Sequence, residues 1–171
     1  HLDIAVDPVE GTTFLAGGQT NAMAVIATAP KGTMLDPGPA FYMEKFAAPA
    51  ETKGKIDMNW STEKKLKTVA SLIEKDLKDL TVFVLDKPRH RGLVEEIHEA
   101  GARVTLYPAG DVAGAIMAAI PDTEVDVLMG TGGTPEGIIS ACAIRAMGGE
   151  FLGRINPQLA TEIVSVRDAG F

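Results

Sequence analysis

The chain has 171 residues, 46% of them hydrophobic and 23% charged, the proportions of an ordinary globular protein with one main core rather than a disordered chain. Lys and Arg number 16 against 23 Asp and Glu, a formal charge of -7, which disfavours nucleic acid as a partner because phosphate backbones are held by basic surfaces. No run of apolar residues is long enough for a membrane span, and the single cysteine, Cys142, makes neither an internal disulfide nor a Cys-rich zinc site; a reducing cytoplasm is the expected compartment.

The chain opens on His1-Leu2 and runs at once into Asp3-Ile4-Ala5-Val6, which reads as a buried strand. With neither Met nor signal peptide before it, further residues are expected upstream. Asp7 to Thr13 is turn-rich. Residues 21–28 read as a second buried strand, 30–40 as a Pro/Gly loop, and Tyr42 to Phe46 as a short helix or strand. Ser61 can cap a helix reaching about Leu77, with Leu66, Val69, Ala70, Ile73 and Leu77 on one face.

From there the pattern is regular. Strand 81–85 leads to Lys87-Pro88-Arg89-His90 and a helix to Ala100 that ends at Gly101. Strand 103–107 leads to a helix capped by Asp111 and stopped at Pro121. Strand 125–129 leads into a Gly-rich loop and a helix to about Met147. Glu150–Gly153 and Glu162–Val166 read as further strands. This alternation predicts a Rossmann-like, largely parallel α/β sheet with flanking helices over 79–155. The strand-rich residues 1–60 are expected to form a separate layer, and 61–171 the α/β substrate-binding domain.

In such a sheet, ligands gather outside the carboxyl ends of the strands. Three segments leave those ends: Lys87-Arg89-His90, Gly110-Asp111, and Gly130 to Glu136. Cations, a carboxylate and glycines together suit a phosphorylated ligand held partly through a metal. In the third, Gly130-Thr131-Gly132-Gly133-Thr134-Pro135-Glu136-Gly137, Thr-Pro is a cap followed by Pro at the first helical position. Bare backbone N–H groups at a helix start favour an anion; Glu136 there can equally hold a cation or simply complement the dipole. Near the amino end, Asp7 and Glu10, three apart, can offer hard oxygen ligands to Mg²⁺ or Mn²⁺, with the Thr12 hydroxyl beside them. Two carboxylates and a hydroxyl at a metal are what metal-assisted phosphate hydrolysis needs. A solvated acidic turn is the plain alternative. Elsewhere Cys142 reads as core packing, Trp60 as a packing anchor, His98 as solvated, and His90 as a functional candidate.

The segment Asp7-Pro8-Val9-Glu10-Gly11-Thr12 after an apolar strand resembles the metal motif of the lithium-sensitive sugar phosphatases. Gly18-Gln19-Thr20-Asn21-Ala22, Tyr42-Met43-Glu44-Lys45, Lys87-Pro88-Arg89-His90, Gly110-Asp111-Val112-Ala113, Val125–Gly130 and Gly133–Gly137 follow in order. Together they are similar to the bacterial class II (GlpX-type) fructose-1,6-bisphosphatases, from Asp3 to about Pro157; Leu159–Phe171 departs from the pattern. The resemblance implies hydrolysis of the 1-phosphate of fructose 1,6-bisphosphate, and in some relatives action on sedoheptulose 1,7-bisphosphate. It implies metal ligation by Asp7, Glu10 and Glu136, and a water-positioning role for the Thr12 hydroxyl. It implies substrate contacts from Glu10, Gly11, Thr12, Tyr42, Lys87, Pro88, Arg89, Ala109, Gly110, Asp111 and Gly133. Ala109 stands where an acidic residue is common. Members of the family are longer and oligomeric, so a homo-oligomer (dimer or tetramer) is expected, and an amino-terminal part with further ligands has no counterpart here. An inositol-phosphate phosphatase and a non-catalytic sugar-phosphate-binding fragment are the competing readings.

Overall fold

The computed structural model describes residues 1–170. Its elements in chain order are β1 (Leu2–Glu10), α1 (Thr12–Ala16), β2 (Met23–Pro30), β3 (Tyr42–Ala48), α2 (Thr62–Leu72), β4 (Thr81–Leu85), α3 (Arg91–Ala100), β5 (Arg103–Tyr107), α4 (Asp111–Ala119), β6 (Val127–Gly133), α5 (Thr134–Met147), β7 (Glu150–Ile155) and α6 (Ala160–Asp168). Among the described residues no helix is long and apolar enough to cross a membrane.

The α/β class read from the alternation holds, but the sheet is mixed. Five strands lie in the order β5-β4-β6-β3-β7. β4 pairs in parallel with β5 and β6, as crossover helices require. β3 runs antiparallel between β6 and β7, so the parallel pattern expected across 79–155 stops at β6. Sequence periodicity did not show this, because β3 comes from the strand-rich first sixty residues and inserts beside strands far away in the chain. β1 and β2 form their own antiparallel pair.

The sheet is buried on both faces, as in α/β folds. Phe46, Val82, Val84 and Met129 pack on one side against Leu66 and Val69 of α2 and Ile97 of α3. Ala47, Phe83, Leu85 and Leu128 pack on the other against Ala115 and Ala118 of α4 and Ile144 of α5. The Phe83 and Tyr107 rings stack at 4.3 Å. The β1–β2 pair lies against α5.

Three local expectations are corrected. Glu162–Val166 is not a strand but the core of α6. Buried Glu162 sets that helix, its carboxylate accepting from the N–H groups of Phe41, Tyr42, Gln158 and Leu159. Residues 7–10 are not a turn but the end of β1. Gly130–Gly133 is not a loop but the last turn-free stretch of β6, paired residue by residue with Tyr42–Lys45. Elsewhere Ser61 caps α2, its Oγ accepting from the Lys64 N–H, and Gly101 closes α3 in the left-handed conformation.

Gly114, within α4, faces the Phe83 ring so closely that a Cβ would lie 2.7 Å from it. Gly114→Ala should therefore lower stability by about 1–3 kcal/mol, overpacking outweighing the gain in helix propensity. Denaturant midpoints of the wild type and variant measure it.

Candidate functional site

The site begins with an irregularity in β1. In a regular strand, residues three apart face opposite sides of the sheet. Between Asp7 and Glu10 the pairing register with β2 shifts, a bulge that re-aims side chains, and Asp7 Oδ1 accepts from the Val9 N–H across it (3.0 Å). Gly11 follows at φ 78°, and a Cβ there would collide with the Phe14 ring. Phe14 also lies against Gly110, at φ 90°, where a Cβ would sit 3.3 Å from the ring. The ring thus seats the end of the β1–β2 ribbon on the start of α4.

One carboxylate oxygen from each of Asp7, Glu10 and Glu136 lies within 4.8 Å of the others. Glu136 arrives from the first turn of α5, directly behind Gly133; a Cβ on Gly133 would run into its carboxylate. Glu10 is buried, and its Oε1 accepts from the Val112 N–H of α4 (3.3 Å). Next to Val112, Asp111 is buried in an ion pair with Lys45 of β3, Oδ2 to Nζ 2.5 Å. Asp111 is the first residue of α4 and does not cap it; Gly110 holds the cap position without a side-chain bond. Likewise Thr134 lies inside α5 and Gly133 takes its cap.

Burial pushes the Glu10 carboxyl up to about 7, reinforced by the charge of Asp111, the Asp7 hydrogen bond and the charge of Glu136, with the Val112 N–H opposing. Acid groups crowded in this way either share protons or hold a cation. Glu136 Oε2 and Thr134 Oγ1 are buried without a hydrogen-bond partner among the described residues. An anionic oxygen lacking a donor, beside two further carboxylates, fits a hard divalent cation such as Mg²⁺ or Mn²⁺.

The other predicted residues line the same edge. Lys87 and Pro88 follow β4, Ala109 and Gly110 follow β5, and Gly133 ends β6 paired with Tyr42. Arg89 lies over the Tyr42 ring at 5.3 Å, its guanidinium donating twice to the Thr131 carbonyl (2.9 and 2.8 Å). Thr12 is exposed at the start of α1. The acidic trio, Gly133 and Asp111 are thus brought together, while Tyr42 and Arg89 form a neighbouring group. His90 has both ring nitrogens engaged by the backbone. It is buried, with Nδ1 2.7 Å from the Leu85 carbonyl and Nε2 accepting from the Thr131 N–H (2.8 Å), so it ties β4 to β6, and burial lowers its pKa. Cys142 is half-buried on α5, and Lys64 covers the Trp60 ring at 3.9 Å. Lys45 was missed as a site residue; a lysine between alternating strand residues reads as solvent-facing, and only the burial of both faces of β3 shows otherwise.

An α/β sheet with a carboxylate trio and cationic side chains at one strand edge offers oxygen ligands suited to a hard cation beside groups suited to an anion. The chain belongs to the bacterial, glpX-encoded fructose-1,6-bisphosphatases, whose family profile matches residues 1–171, the 159–171 segment included. It is 48% identical over 157 residues to the class 2 fructose-1,6-bisphosphatase of Haemophilus influenzae, covering 92% of this chain and 47% of that protein. It is 47% identical over 155 residues to the D-fructose 1,6-bisphosphatase class 2/sedoheptulose 1,7-bisphosphatase of Crocosphaera subtropica, covering 91% and 45%. The same share of identity relates it to the corresponding protein of Microcystis aeruginosa, over 91% and 45%. The chain spans about half the length of the curated relatives it matches.

The Glu10 shift has a defined sign. In the metal-free protein the native state keeps a proton that the unfolded chain releases above 4.5, so its contribution to stability is lost as pH rises from 4.5 through about 7. Glu10→Gln removes that proton and keeps the shape. The melting temperature of Glu10→Gln minus that of the wild type, both in chelator, should grow between pH 5 and 8. The subtraction cancels His90, whose lowered pKa acts in the opposite sense. A flat difference would show that Glu10 titrates normally.

Proposed function

We propose that the protein containing this chain hydrolyses the 1-phosphate of fructose 1,6-bisphosphate to fructose 6-phosphate and phosphate, and that sedoheptulose 1,7-bisphosphate is a second substrate. The observation that carries this is the meeting of Asp7, Glu10 and Glu136 oxygens within 4.8 Å at the ligand edge of a sheet whose relatives are named for these reactions. Membership of the family and the shape of the trio point the same way.

In this reading Asp7, Glu10 and Glu136 hold Mn²⁺ or Mg²⁺. The chemistry that such an ion supplies is a more acidic water and compensation of charge on the phosphoryl oxygens. The chain's own residues do the rest. The exposed Thr12 hydroxyl, one residue beyond Gly11, orients the attacking water. Lys87 and Arg89 bind phosphate oxygens as cations, Arg89 with Tyr42 beneath it. Gly110, Asp111 and Gly133 contact the sugar phosphate, and Gly11, Pro88 and Ala109 complete the wall. The β1–β2 ribbon, with α1, then supplies Asp7, Glu10, Gly11 and Thr12, and the main sheet with its helices, Tyr42 on β3 included, supplies Glu136 and the remaining substrate contacts, within a cytoplasmic homo-oligomer.

Phosphate release from fructose 1,6-bisphosphate tests this. The full-length protein should turn over with added Mn²⁺ and stop with chelator, while residues 1–171 alone should be weak or inactive. In the full-length protein Asp7→Ala and Glu10→Ala should each lower kcat at least a hundredfold, more than outer-shell changes at metal sites usually cost. Substrate binding without turnover in the full-length protein would favour a non-catalytic binding role instead.

A further inference from the structure

In sequence the Gly130–Gly137 run reads as bare backbone for an anion. In the structure two of its glycines make room for a side chain. A Cβ on Gly132 would run into the Asp111 carboxylate and lie 3.1 Å from Lys45 Nζ, and one on Gly137 would lie 3.2 Å from Lys45 Cε. Through this passage Lys45 crosses from the middle of the sheet to α4, its side chain 1% exposed. Burying such a pair is seldom more stabilising than apolar residues of the same size. The reason for it is therefore sought in what surrounds Asp111. Four carboxylates crowd this corner. Three offer oxygens to a common point. The fourth, Asp111, sits beside Val112, whose N–H is already given to Glu10, and is turned instead to Lys45.

We propose that Lys45 is a positioning residue: its ammonium holds Asp111 out of the Asp7–Glu10–Glu136 trio, so that a divalent cation meets three carboxylates of this chain and Asp111 is kept off the metal. The inference rests on the metal reading given above. Without the ammonium, Asp111 swings to the cation and adds a fourth anionic ligand.

The test is calorimetric titration of the metal-free full-length protein with Mn²⁺ alone, at pH 8 so that Glu10 is ionised. Lys45→Met should bind Mn²⁺ about tenfold more tightly, the scale of one added charge contact, and its KM for fructose 1,6-bisphosphate should rise more than its kcat falls. The double variant Lys45→Met/Asp111→Asn should return to within about twofold of wild-type Mn²⁺ affinity, and Lys45→Arg should match the wild type; a merely structural lysine would give neither result. If Lys45→Met does not fold, Lys45→Gln carries the same comparison. Unchanged Mn²⁺ affinity in a folded, uncharged variant overturns the role of Lys45, as does a double variant indistinguishable from Lys45→Met. Absence of Mn²⁺ binding in the wild type overturns the metal reading as well.

Discussion

Like charge held at close quarters is the constraint on which this structure turns. Asp7, Glu10 and Glu136 come from two elements more than a hundred residues apart, and Asp111 stands just behind them. Left in water these groups would separate. Here a bulge in β1, the Phe14 ring seated on two glycines, and the first turn of α5 hold them together. The burden falls on Glu10, the most enclosed of the three, whose carboxyl is pushed up to about 7. A fold that spends stability on such crowding has a reason for it. A bound cation would relieve the repulsion and satisfy the buried Glu136 oxygen at once.

The glycines around this corner serve contact, not flexibility. Gly130 leaves room for the His90 ring, Gly132 for Asp111, Gly133 for the Glu136 carboxylate, and Gly137 for the Lys45 stem. Each residue side-steps a specific neighbour, so the run is a negative image of the site's side chains. This explains why the run stays in register with β3 as a strand instead of looping out. Pairing with Tyr42–Lys45 fixes the backbone, and the missing side chains leave the space.

Much of this was legible in the sequence. The βα alternation gave the class and the strand ends that carry the ligand edge. The Asp7–Glu10 pair was legible as a candidate for a hard cation, with a solvated acidic turn as the alternative, and it was the family resemblance that joined Glu136 to it. What could not be read depended on distant pairing. The antiparallel insertion of β3 is set by partners eighty and more residues away, and with it the burial of Lys45. His90 looked chemical beside Arg89, yet its two ring nitrogens are used by Leu85 and Thr131. Glu162 looked like part of a strand because Ile163, Val164 and Val166 are β-branched, but four backbone donors around its carboxylate outweigh that propensity.

The trio is only as well placed as the ribbon that carries two of its members. β1 and β2 form a two-stranded sheet, and such a pair is marginal by itself in water. One face rests on α5; on the other, Leu2, Ile4, Val6 and Ile26 are each 59–67% exposed. An apolar face of that kind is ordinarily covered, and the relatives that share this chain's sequence are about twice as long. Cover on that face would add burial to the strand that bears Asp7 and Glu10, while α4 and α5, anchored in the main sheet, would hold Asp111 and Glu136 without it. The placement of the trio would then depend on packing on the far side of the ribbon, through the backbone of β1 and the Phe14 ring.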